Sequence, residues 1–501
     1  MRPAPELVIG LVGAVGTPLD TVAGRLEESL SRVAYLCSHI RISQLLDSIE
    51  KFRATIVRDP ESARLRTTME AGTAFRETLN RGDALVGLAV TQIRTERERN
   101  GGSFEERAYV LRQLKHHEEV IALRDVYREH FILLGVYMPR EMRVDRLAER
   151  LSRTEGKTSG ELRAAAEQLI ATDERELGRP LGQDVRETFP MSDVFVNATD
   201  AAQLGREIDR FVEILFGKPC MTPTKDECGL FHAQAAALRS SALSRQVGAA
   251  LLSAEGDVLA VGMNEVPKGG GGHYWAGDED DGRDFTRGYD QNDELKATVL
   301  REVLLKLREA GWLAGSRQTD PIETVLRDVR TPLKDARILG LTEFGRDVHA
   351  EMSVLMTAAR RGIATHGCTL YTTTFPCHNC AKHIVGAGIA KVIYIEPYAK
   401  SFAKEFHPDS IDVESEKPQS GRVLFEPFVG IAPRRFLDWF KAGVRKGGDG
   451  RVIGWRPTEQ PPIFARPESG GVDIAYPDRE REISKRTTKN MEDAGLIEVG
   501  R

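Results

Sequence analysis

Three residues with metal-binding side chains and one carboxylate occur in a short, ordered pattern in the second half of the chain. His349-Ala350-Glu351 is followed by Pro376-Cys377-His378-Asn379-Cys380. A neutral imidazole and two thiolates are ligands that Zn²⁺ prefers. If all three bind one ion, the fold must bring both segments to the same point. The pattern therefore predicts one zinc ion per subunit, held by His349, Cys377 and Cys380.

Three protein ligands leave the fourth position of a tetrahedral zinc ion open to water. Zinc lowers the pKa of bound water to about 7, so that hydroxide is available at neutral pH. Glu351 stands two residues after the histidine, where its carboxylate can take the water's proton and return it to a substrate. The order H-x-E…P-C-x-x-C is the pattern of zinc-dependent nucleobase deaminases. We therefore predict that Glu351 is the catalytic residue.

Two other interpretations of the cysteine pair are a structural zinc knuckle and a redox pair. A structural site needs a fourth ligand at similar spacing, and the nearest additional residues, Cys368, His378 and His383, do not repeat the C-x-x-C unit. A redox pair leaves the upstream His-Ala-Glu unexplained. Six cysteines without a disulfide-like framework favour a reducing cytoplasm.

The length and composition indicate a soluble protein of several domains. A chain of 501 residues is too long for one core. Its net charge of −5 disfavours a dedicated nucleic-acid enzyme, and no apolar run is long enough to span a membrane. The protein is expected to be cytoplasmic. We predict a first domain over residues 1–220, a second over residues 221–445 with an insertion at about 267–344, and a C-terminal tail over residues 446–501.

The first domain begins with an apolar segment, residues 7–15, that enters a glycine-rich turn, and a helix is expected from Leu19 to about Cys37. A strand, a glycine turn and a helix are the setting in which backbone N–H groups bind phosphate. The candidate nucleotide-binding residues are Gly10, Gly13, Gly16 and Thr17.

The turn departs from a Walker A motif. Five residues rather than four separate Gly10 from Gly16, and Thr17-Pro18 stands where lysine and a hydroxyl residue are required. The sequence therefore predicts a P-loop kinase-like α/β domain with a mostly parallel sheet and a degenerate Walker A motif. Phosphoryl transfer is disfavoured. Nucleotide binding without hydrolysis and a purely structural remnant both remain open.

Apolar patterns predict further elements. Residues 83–90 are interpreted as a strand, and residues 141–176 as a helical segment. A hairpin over residues 247–262, a helix over residues 348–361 and a strand over residues 369–373 surround the metal-binding pattern. Beyond Phe428, a single helix is expected, over residues 433–443.

The zinc pattern and its setting resemble the deoxycytidylate deaminase family. Arg245-Gln246-Val247-Gly248-Ala249 and Gly262-Met263-Asn264-Glu265-Val266-Pro267 are similar to that family's substrate-side segments. The resemblance implies a cytidine-deaminase-like α/β/α sandwich with a mixed five-stranded sheet. It also implies that Asn264 hydrogen-bonds the deoxyribose hydroxyl, although a turn residue after a strand is an alternative role. The other implied substrate contacts are Ala350, Thr374 and Phe375.

The combination of this domain with a P-loop-like half resembles the two-domain bacterial anti-phage dCTP deaminases. Leu114-Lys115-His116-His117-Glu118-Glu119-Val120 and the segment from Glu343 to Glu351 carry the resemblance. It implies deamination of dCTP, dCMP or both, which would deplete dCTP during phage infection. It further implies a regulatory nucleotide at the first domain, control by an antitoxin RNA or a phage-derived trigger, and a homo-oligomer.

Two rival functions remain open from the sequence. A deaminase of tRNA or single-stranded DNA would share the zinc chemistry, but it would need a basic, aromatic-lined groove, and aromatic residues make up only 7% of the chain. A nucleotide-sensing regulator could use the deaminase half as a scaffold, as the turn without lysine would allow.

Overall fold

The structure is a computed structural model that describes residues 4–333, 336–396, 401–415, 417–441, 443–465 and 475–498. These residues form two compact units. The first unit comprises Met1–Glu227 and Phe428–Arg501, and the second comprises Cys228–Pro427. No described helix is both long enough and apolar enough to cross a membrane.

The strands and helices alternate along much of the chain. The strands are β1 (Leu7–Val12), β2 (Leu36–Arg41), β3 (Arg107–Arg112), β4 (Phe131–Tyr137), β5 (Val194–Asn197), β6 (Gly248–Leu252), β7 (Val258–Met263), β8 (Thr369–Thr374), β9 (Lys391–Glu396), β10 (Ile411–Val413), β11 (Val423–Pro427) and β12 (Gly430–Ile431). The helices are α1 (Leu19–Ser31), α2 (Glu50–Thr55), α3 (Glu61–Thr78), α4 (Ala84–Arg99), α5 (His117–Tyr127), α6 (Arg140–Glu155), α7 (Ser159–Glu174), α8 (Val185–Thr188), α9 (Ala201–Leu215), α10 (Lys225–Ala237), α11 (Asp284–Arg287), α12 (Gln291–Glu309), α13 (Ile322–Val329), α14 (Ala350–Arg360), α15 (His378–Gly386), α16 (Ala403–Phe406), α17 (Phe436–Trp439) and α18 (Tyr476–Asp493).

The first unit is built on a six-stranded sheet in the order β12-β5-β4-β1-β3-β2. Its strands are parallel except for β12, which pairs antiparallel with β5. All six residues of β1 are buried, as expected for a central strand with helices on both faces. The predicted mostly parallel sheet is thus present.

The second unit is also built on a six-stranded sheet, in the order β10-β11-β9-β8-β6-β7. The hairpin strands β6 and β7 and the pair β6 and β8 are antiparallel, whereas β8, β9, β11 and β10 run parallel. The predicted mixed sheet is confirmed, but the count of five strands is wrong because β10 adds a sixth at one edge. Helices α11, α12 and α13 occupy the predicted insertion, and Leu300 and Leu304 of α12 share a small apolar cluster with Val325 and Leu326 of α13.

Both unit boundaries differ from the sequence prediction. The change of unit follows Glu227 rather than residue 220, and the second unit ends at Pro427 rather than at residue 445. The described residues of the segment predicted as a separate tail, 446–465 and 475–498, lie in the first unit. Helix α18 explains this placement, because its side chains Tyr476, Ile483 and Met491 are buried in a core that it shares with α4.

Residues 83–90 are not a strand, because Ala84–Arg99 forms the helix α4. A short apolar run does not distinguish a buried strand from a buried helix. Three other local expectations also differ. The helix expected to reach Cys37 ends at Ser31, the segment 141–176 is two helices separated at Gly156, and α18 is a second helix beyond Phe428.

Candidate metal centre

His349 lies immediately before α14 rather than inside the predicted helix. Its backbone is extended, with φ −61° and ψ 153°, and the helix begins at Ala350. Just before it, Val348 forms a backbone bridge with Glu265, which follows β7. This pairing connects the hairpin to the start of the helix and so determines where the imidazole is placed.

The two cysteines lie at the start of α15. Cys377 is the N-cap residue, and the N–H of Cys380 donates a hydrogen bond to Cys377 Sγ over 3.4 Å. The loop that precedes Cys377 leaves the carboxyl end of β8. A helix N-terminus stabilises thiolate, which is the form of cysteine that binds metal.

The three predicted ligand atoms converge. His349 Nδ1 lies 3.3 Å from Cys377 Sγ and 3.4 Å from Cys380 Sγ, and all three ligand atoms lie within 4.8 Å of one another. Tetrahedral zinc with Zn–N near 2.0 Å and Zn–S near 2.3 Å separates such atoms by about 3.6 Å. The residues therefore fit a zinc ion. Within the described part of the chain, no further histidine, cysteine or carboxylate joins this group, which is consistent with a fourth position open to water.

Glu351 is buried beside the ligands, with 4% of its surface exposed. Cys380 Sγ donates to Glu351 Oε2 over 3.4 Å. Burial raises the pKa of the Glu351 carboxyl, and the nearby Cys377 thiolate raises it further. A carboxyl with a raised pKa can both accept and release a proton near neutral pH.

Two of the candidate ligands, His349 and Cys377, shift the pKa of one another. Hydrogen bonding from Cys380 and His349 lowers the pKa of Cys377, and the hydrogen bond to Cys377 raises the pKa of His349 to about 9. Contact with the Cys377 thiolate and burial raise the pKa of Cys380, and the adjacent Glu351 carboxylate raises it further. Of the two cysteines, Cys377 is therefore the one whose thiolate form the surroundings favour.

Asn264 lies at the end of β7, and its amide binds the neighbouring backbone. Its Oδ1 accepts from Val247 N over 2.8 Å, and its Nδ2 donates to Arg245 O over 2.8 Å. The side chain is only 5% exposed. The residue therefore holds the segment before β6 against the end of β7. Its predicted contact with deoxyribose stays a prediction.

The other predicted substrate contacts, Ala350, Thr374 and Phe375, lie within three residues of a candidate ligand in the sequence. Ala350 is buried as the first residue of α14. Thr374 ends β8 and donates from Oγ1 to Glu396 Oε2 over 2.7 Å, and Glu396 also accepts from Arg245 over 2.9 Å. Phe375 packs edge-on against Tyr394. Their roles toward a substrate likewise stay predictions.

An aromatic group beside the cysteine pair was not predicted. The ring of His378 lies 5.7 Å from that of Phe402 and 5.4 Å from that of Phe406, and these two phenyl rings stack. His378 Nε2 also lies 3.4 Å from a carboxylate oxygen of Glu343. No spacing in the sequence connects these residues, because they come from three separate segments.

The candidate nucleotide-binding residues lie in the first unit and do not all belong to the turn. Gly10 is inside β1, where a side chain would come within 2.8 Å of Leu114, so its role is packing. Gly13, Gly16 and Thr17 do lie between β1 and α1. Gly16 has a φ of +94°, and a side chain there would clash with the backbone of Arg143.

Comparison with known proteins places the candidate centre in a known type of domain. Residues 223–396 match the family model of the cytidine and deoxycytidylate deaminase zinc-binding region. This match includes the ligands and Glu351. The chain thus carries a deoxycytidylate-deaminase-type domain.

Individual relatives match shorter stretches. Deoxycytidylate deaminase of Mus musculus is 29% identical over 120 residues, which are 24% of this chain and 57% of that protein. ComE operon protein 2 of Bacillus subtilis is 38% identical over 101 residues, 20% of this chain and 50% of that protein. The enterobacteria phage T4 deoxycytidylate deaminase is 44% identical over 55 residues, 11% of this chain and 28% of that protein. The chain therefore spans about half or less of the length of most of these relatives. A solved dCMP deaminase of the cyanophage S-TIM5, in complex with dCMP and dUMP, aligns with 42% of this chain and 99% of its own at 19% identity and a TM-score of 0.23.

Proposed function

We propose that the protein is a zinc-dependent hydrolytic deaminase of deoxycytidine nucleotides, converting dCTP, dCMP or both to the uracil nucleotide and ammonia. The observation that carries the proposal is the group of His349, Cys377 and Cys380 with the Glu351 carboxyl in contact with it. The family match over residues 223–396 supports the same chemistry.

His349, Cys377 and Cys380 would hold the ion, which would supply activated water at neutral pH. Glu351 takes a proton from this water and transfers it to N3 of the cytosine ring while oxygen adds at C4. The Glu351 carboxylate then takes the proton of the hydroxyl group on C4 and delivers it to the amino group, so that the C4–N bond breaks, ammonia leaves and the C4 carbonyl forms. One water is consumed, and Glu351 returns to its initial state.

The substrate class rests on the deoxycytidylate deaminases among the relatives and on the segments around Asn264. In this proposal, Asn264 approaches the deoxyribose, while Ala350, Thr374 and Phe375 orient the pyrimidine. The sequence resemblance to two-domain anti-phage enzymes extends the proposal to depletion of dCTP in the cytoplasm. It also favours a homo-oligomer, repression by an antitoxin RNA or release by a phage-derived trigger, and a regulatory nucleotide at a P-loop-like first unit.

Ammonia release from the purified full-length chain tests the activity. The chain is incubated separately with dCTP, dCMP, CTP, cytidine and a cytosine-containing oligonucleotide, with and without dTTP, and its zinc content is measured. Release from a deoxycytidine nucleotide by zinc-loaded protein is the expected result. Release from the oligonucleotide alone, or no release from zinc-loaded protein, would contradict the proposal.

A further inference from the structure

A short hairpin rich in positive charge lies between α17 and α18 in the chain. The N–H of Gly447 donates to Arg451 O over 2.8 Å, and the N–H of Ile453 donates to Arg445 O over 3.0 Å. An antiparallel bridge between residues 446 and 452 lies between these two hydrogen bonds. We call residues 444–453 the basic hairpin.

The basic hairpin has an excess of positive charge in a chain whose net charge is −5. It holds three cationic residues, Arg445, Lys446 and Arg451, and a single carboxylate, Asp449. The three cationic side chains are exposed, and none of them has an ion pair or a hydrogen bond with a described residue. Asp449 belongs to the turn, because its Oδ1 accepts from the N–H of Arg451 over 3.0 Å. Since neighbouring like charges repel, this cluster does not stabilise the fold.

The register of the basic hairpin brings its two arginines to the same face. Arg445 and Arg451 each lie in a hydrogen-bonded pair, opposite Ile453 and Gly447. Because successive side chains alternate between the two faces of a strand, both arginines lie on one face and Lys446 lies on the other. Guanidinium groups suit phosphate, because their N–H donors match its oxygens. One face of the hairpin therefore offers a pair of phosphate-binding groups.

Exposed apolar side chains and bare backbone lie beside these charges. Val444 is 77% exposed and Val452 is 71% exposed. A side chain at Gly448 or Gly454 would contact nothing, and neither residue has a positive φ, so the fold does not require glycine at either position. Glycine does allow a ligand to approach the backbone closely. The cations, the valines and the bare backbone are thus all available to a partner.

The base of the basic hairpin is anchored in the first unit. The Nε1 of Trp455, which follows the hairpin, donates to Phe216 O over 3.3 Å. The ammonium group of Lys218 lies 5.6 Å from the centre of the Trp455 ring. Before the hairpin, Trp439 of α17 stacks on Phe211 of α9 with ring centres 5.9 Å apart. The charges are therefore carried by a segment that is tied to the unit at both ends.

The geometry of the basic hairpin favours duplex DNA over other polyanions. The major groove of B-DNA admits a two-stranded β-ribbon, whereas the deep, narrow major groove of duplex RNA is closed to side chains. Single strands are bound by stacking on aromatic side chains, and residues 444–453 contain none. Binding to an anionic membrane increases with buried apolar area, of which the hairpin offers only two valines and Ile453.

We propose that the basic hairpin binds the phosphate backbone of double-stranded DNA, with Arg445, Lys446 and Arg451 as the contacting cations. The DNA is a partner of the first unit and not a substrate, so the inference goes beyond the proposed deaminase activity and does not depend on it. Phosphate contacts carry no sequence information, and binding is therefore expected on duplexes of any sequence.

Fluorescence anisotropy of a short labelled DNA duplex, titrated with the full-length chain at several salt concentrations, tests the proposal. Three phosphate contacts predict a slope of about −2.7 for log K against log[salt], so that affinity falls about 40-fold between about 50 and 200 mM salt. Arg445→Gln and Arg451→Gln should each reduce the slope to about −1.8, a fall of about 12-fold over the same range. Because both side chains are exposed and unpaired, neither variant should change the thermal unfolding midpoint.

Arg163→Gln is the matched control, because it makes the same change in net charge at an exposed arginine of α7 outside the basic hairpin. It should bind with the slope of the parent chain. No detectable binding to duplex DNA at about 50 mM salt, or the parent's slope in both hairpin variants, would overturn the proposal. Single-stranded DNA, duplex RNA and vesicles of phosphatidylserine and phosphatidylcholine are titrated in parallel. If any of these bound the parent chain as tightly as duplex DNA does, the assignment of the partner would be wrong.

Discussion

Glu265 and Val348 exchange two backbone hydrogen bonds, with N–O distances of 3.2 and 3.0 Å. One residue follows β7, and the other precedes the proposed zinc ligand His349. The carboxylate of Glu265 is 1% exposed and accepts from Ser241 N, Ser241 Oγ and Val266 N. The start of α14 is therefore held by a residue that is itself fully hydrogen-bonded.

Glu265→Ala is expected to destabilise the second unit by about 2 kcal/mol, because it leaves two half-buried donors of Ser241 and the buried N–H of Val266 unpaired. Urea unfolding measures the loss, and zinc content reports whether His349 keeps its position. Glu265→Gln keeps an acceptor and should lose less. Glu309→Ala, at an exposed position of α12, is the control and should be neutral. Equal stability of Glu265→Ala and Glu309→Ala would contradict the positioning role.

Glu351→Ala is expected to lower the rate of deamination by at least about 100-fold, since positioned proton transfer contributes about 10²–10⁴-fold. Zinc content should stay at one per chain, because the carboxylate is not a predicted ligand. The rate of ammonia release and the bound zinc are measured on the same sample. A variant with intact zinc and the parent's rate would remove Glu351 from the mechanism.

Zinc affinity should rise with pH. The pKa of His349 is raised to about 9 and that of Cys380 is raised as well, so both carry protons at pH 7, whereas Cys377 is already a thiolate. Zinc binding must displace these two protons, and the affinity therefore increases about 100-fold for each pH unit between pH 6.5 and 8.5. Competition with a chelator of known affinity measures this slope. A slope near zero would show that the ligands are deprotonated before zinc binds.

Removal of the ion should abolish deamination reversibly. Dialysis against a chelator is expected to stop ammonia release, and added Zn²⁺ should restore it, because the water-activating charge is lost and regained. Cys380→Ser should bind zinc poorly and stay inactive. Cys220→Ser, at an exposed cysteine of the first unit, is the control and should behave like the parent chain. Full activity of the chelated protein would contradict the metal assignment.

Arg97→Met is expected to destabilise the first unit by about 3–5 kcal/mol, because it leaves two buried carboxylates without their cation. Arg97 lies between Glu6, before β1, and Glu480, on α18, over 2.7 and 2.8 Å. Limited proteolysis should then cut the chain before or within α18. Arg481→Met removes an exposed arginine of the same helix and should leave both stability and cleavage unchanged. Protection equal to that of the parent would show that α18 is held by apolar packing alone.

The local patterns were the easiest features to predict. The ligands and Glu351 belong to two short segments, and a strand, a turn and a helix start place the side chains within each. The spacing therefore predicted a group that the structure brings together. The hairpin β6–β7 and the strand β8 were predicted for the same reason, since their apolar runs are bounded by turn residues.

The apolar run at residues 83–90 was wrongly assigned to a strand, because the local sequence does not show which other segment buries it. Helix α4 packs against α18, and Thr91 of α4 lies 393 positions before its hydrogen-bond partner Ser484 of α18. No window of local sequence contains that partner.

The sequence by itself determined the proposed chemistry of the candidate centre, because a histidine, two cysteines and a glutamate in this order are what the proposal needs for the ion and the proton carrier. Tertiary structure alone decided which chain segments form each unit. It also decided that the amide of Asn264 hydrogen-bonds the backbone of Arg245 and Val247, and that Arg76 of α3 and Arg112 of β3 line one cavity beside the glycine turn. Such features arise from contacts between residues that are distant in the sequence. Burying a polar group costs free energy unless a partner is present, and only the folded chain determines which partners meet.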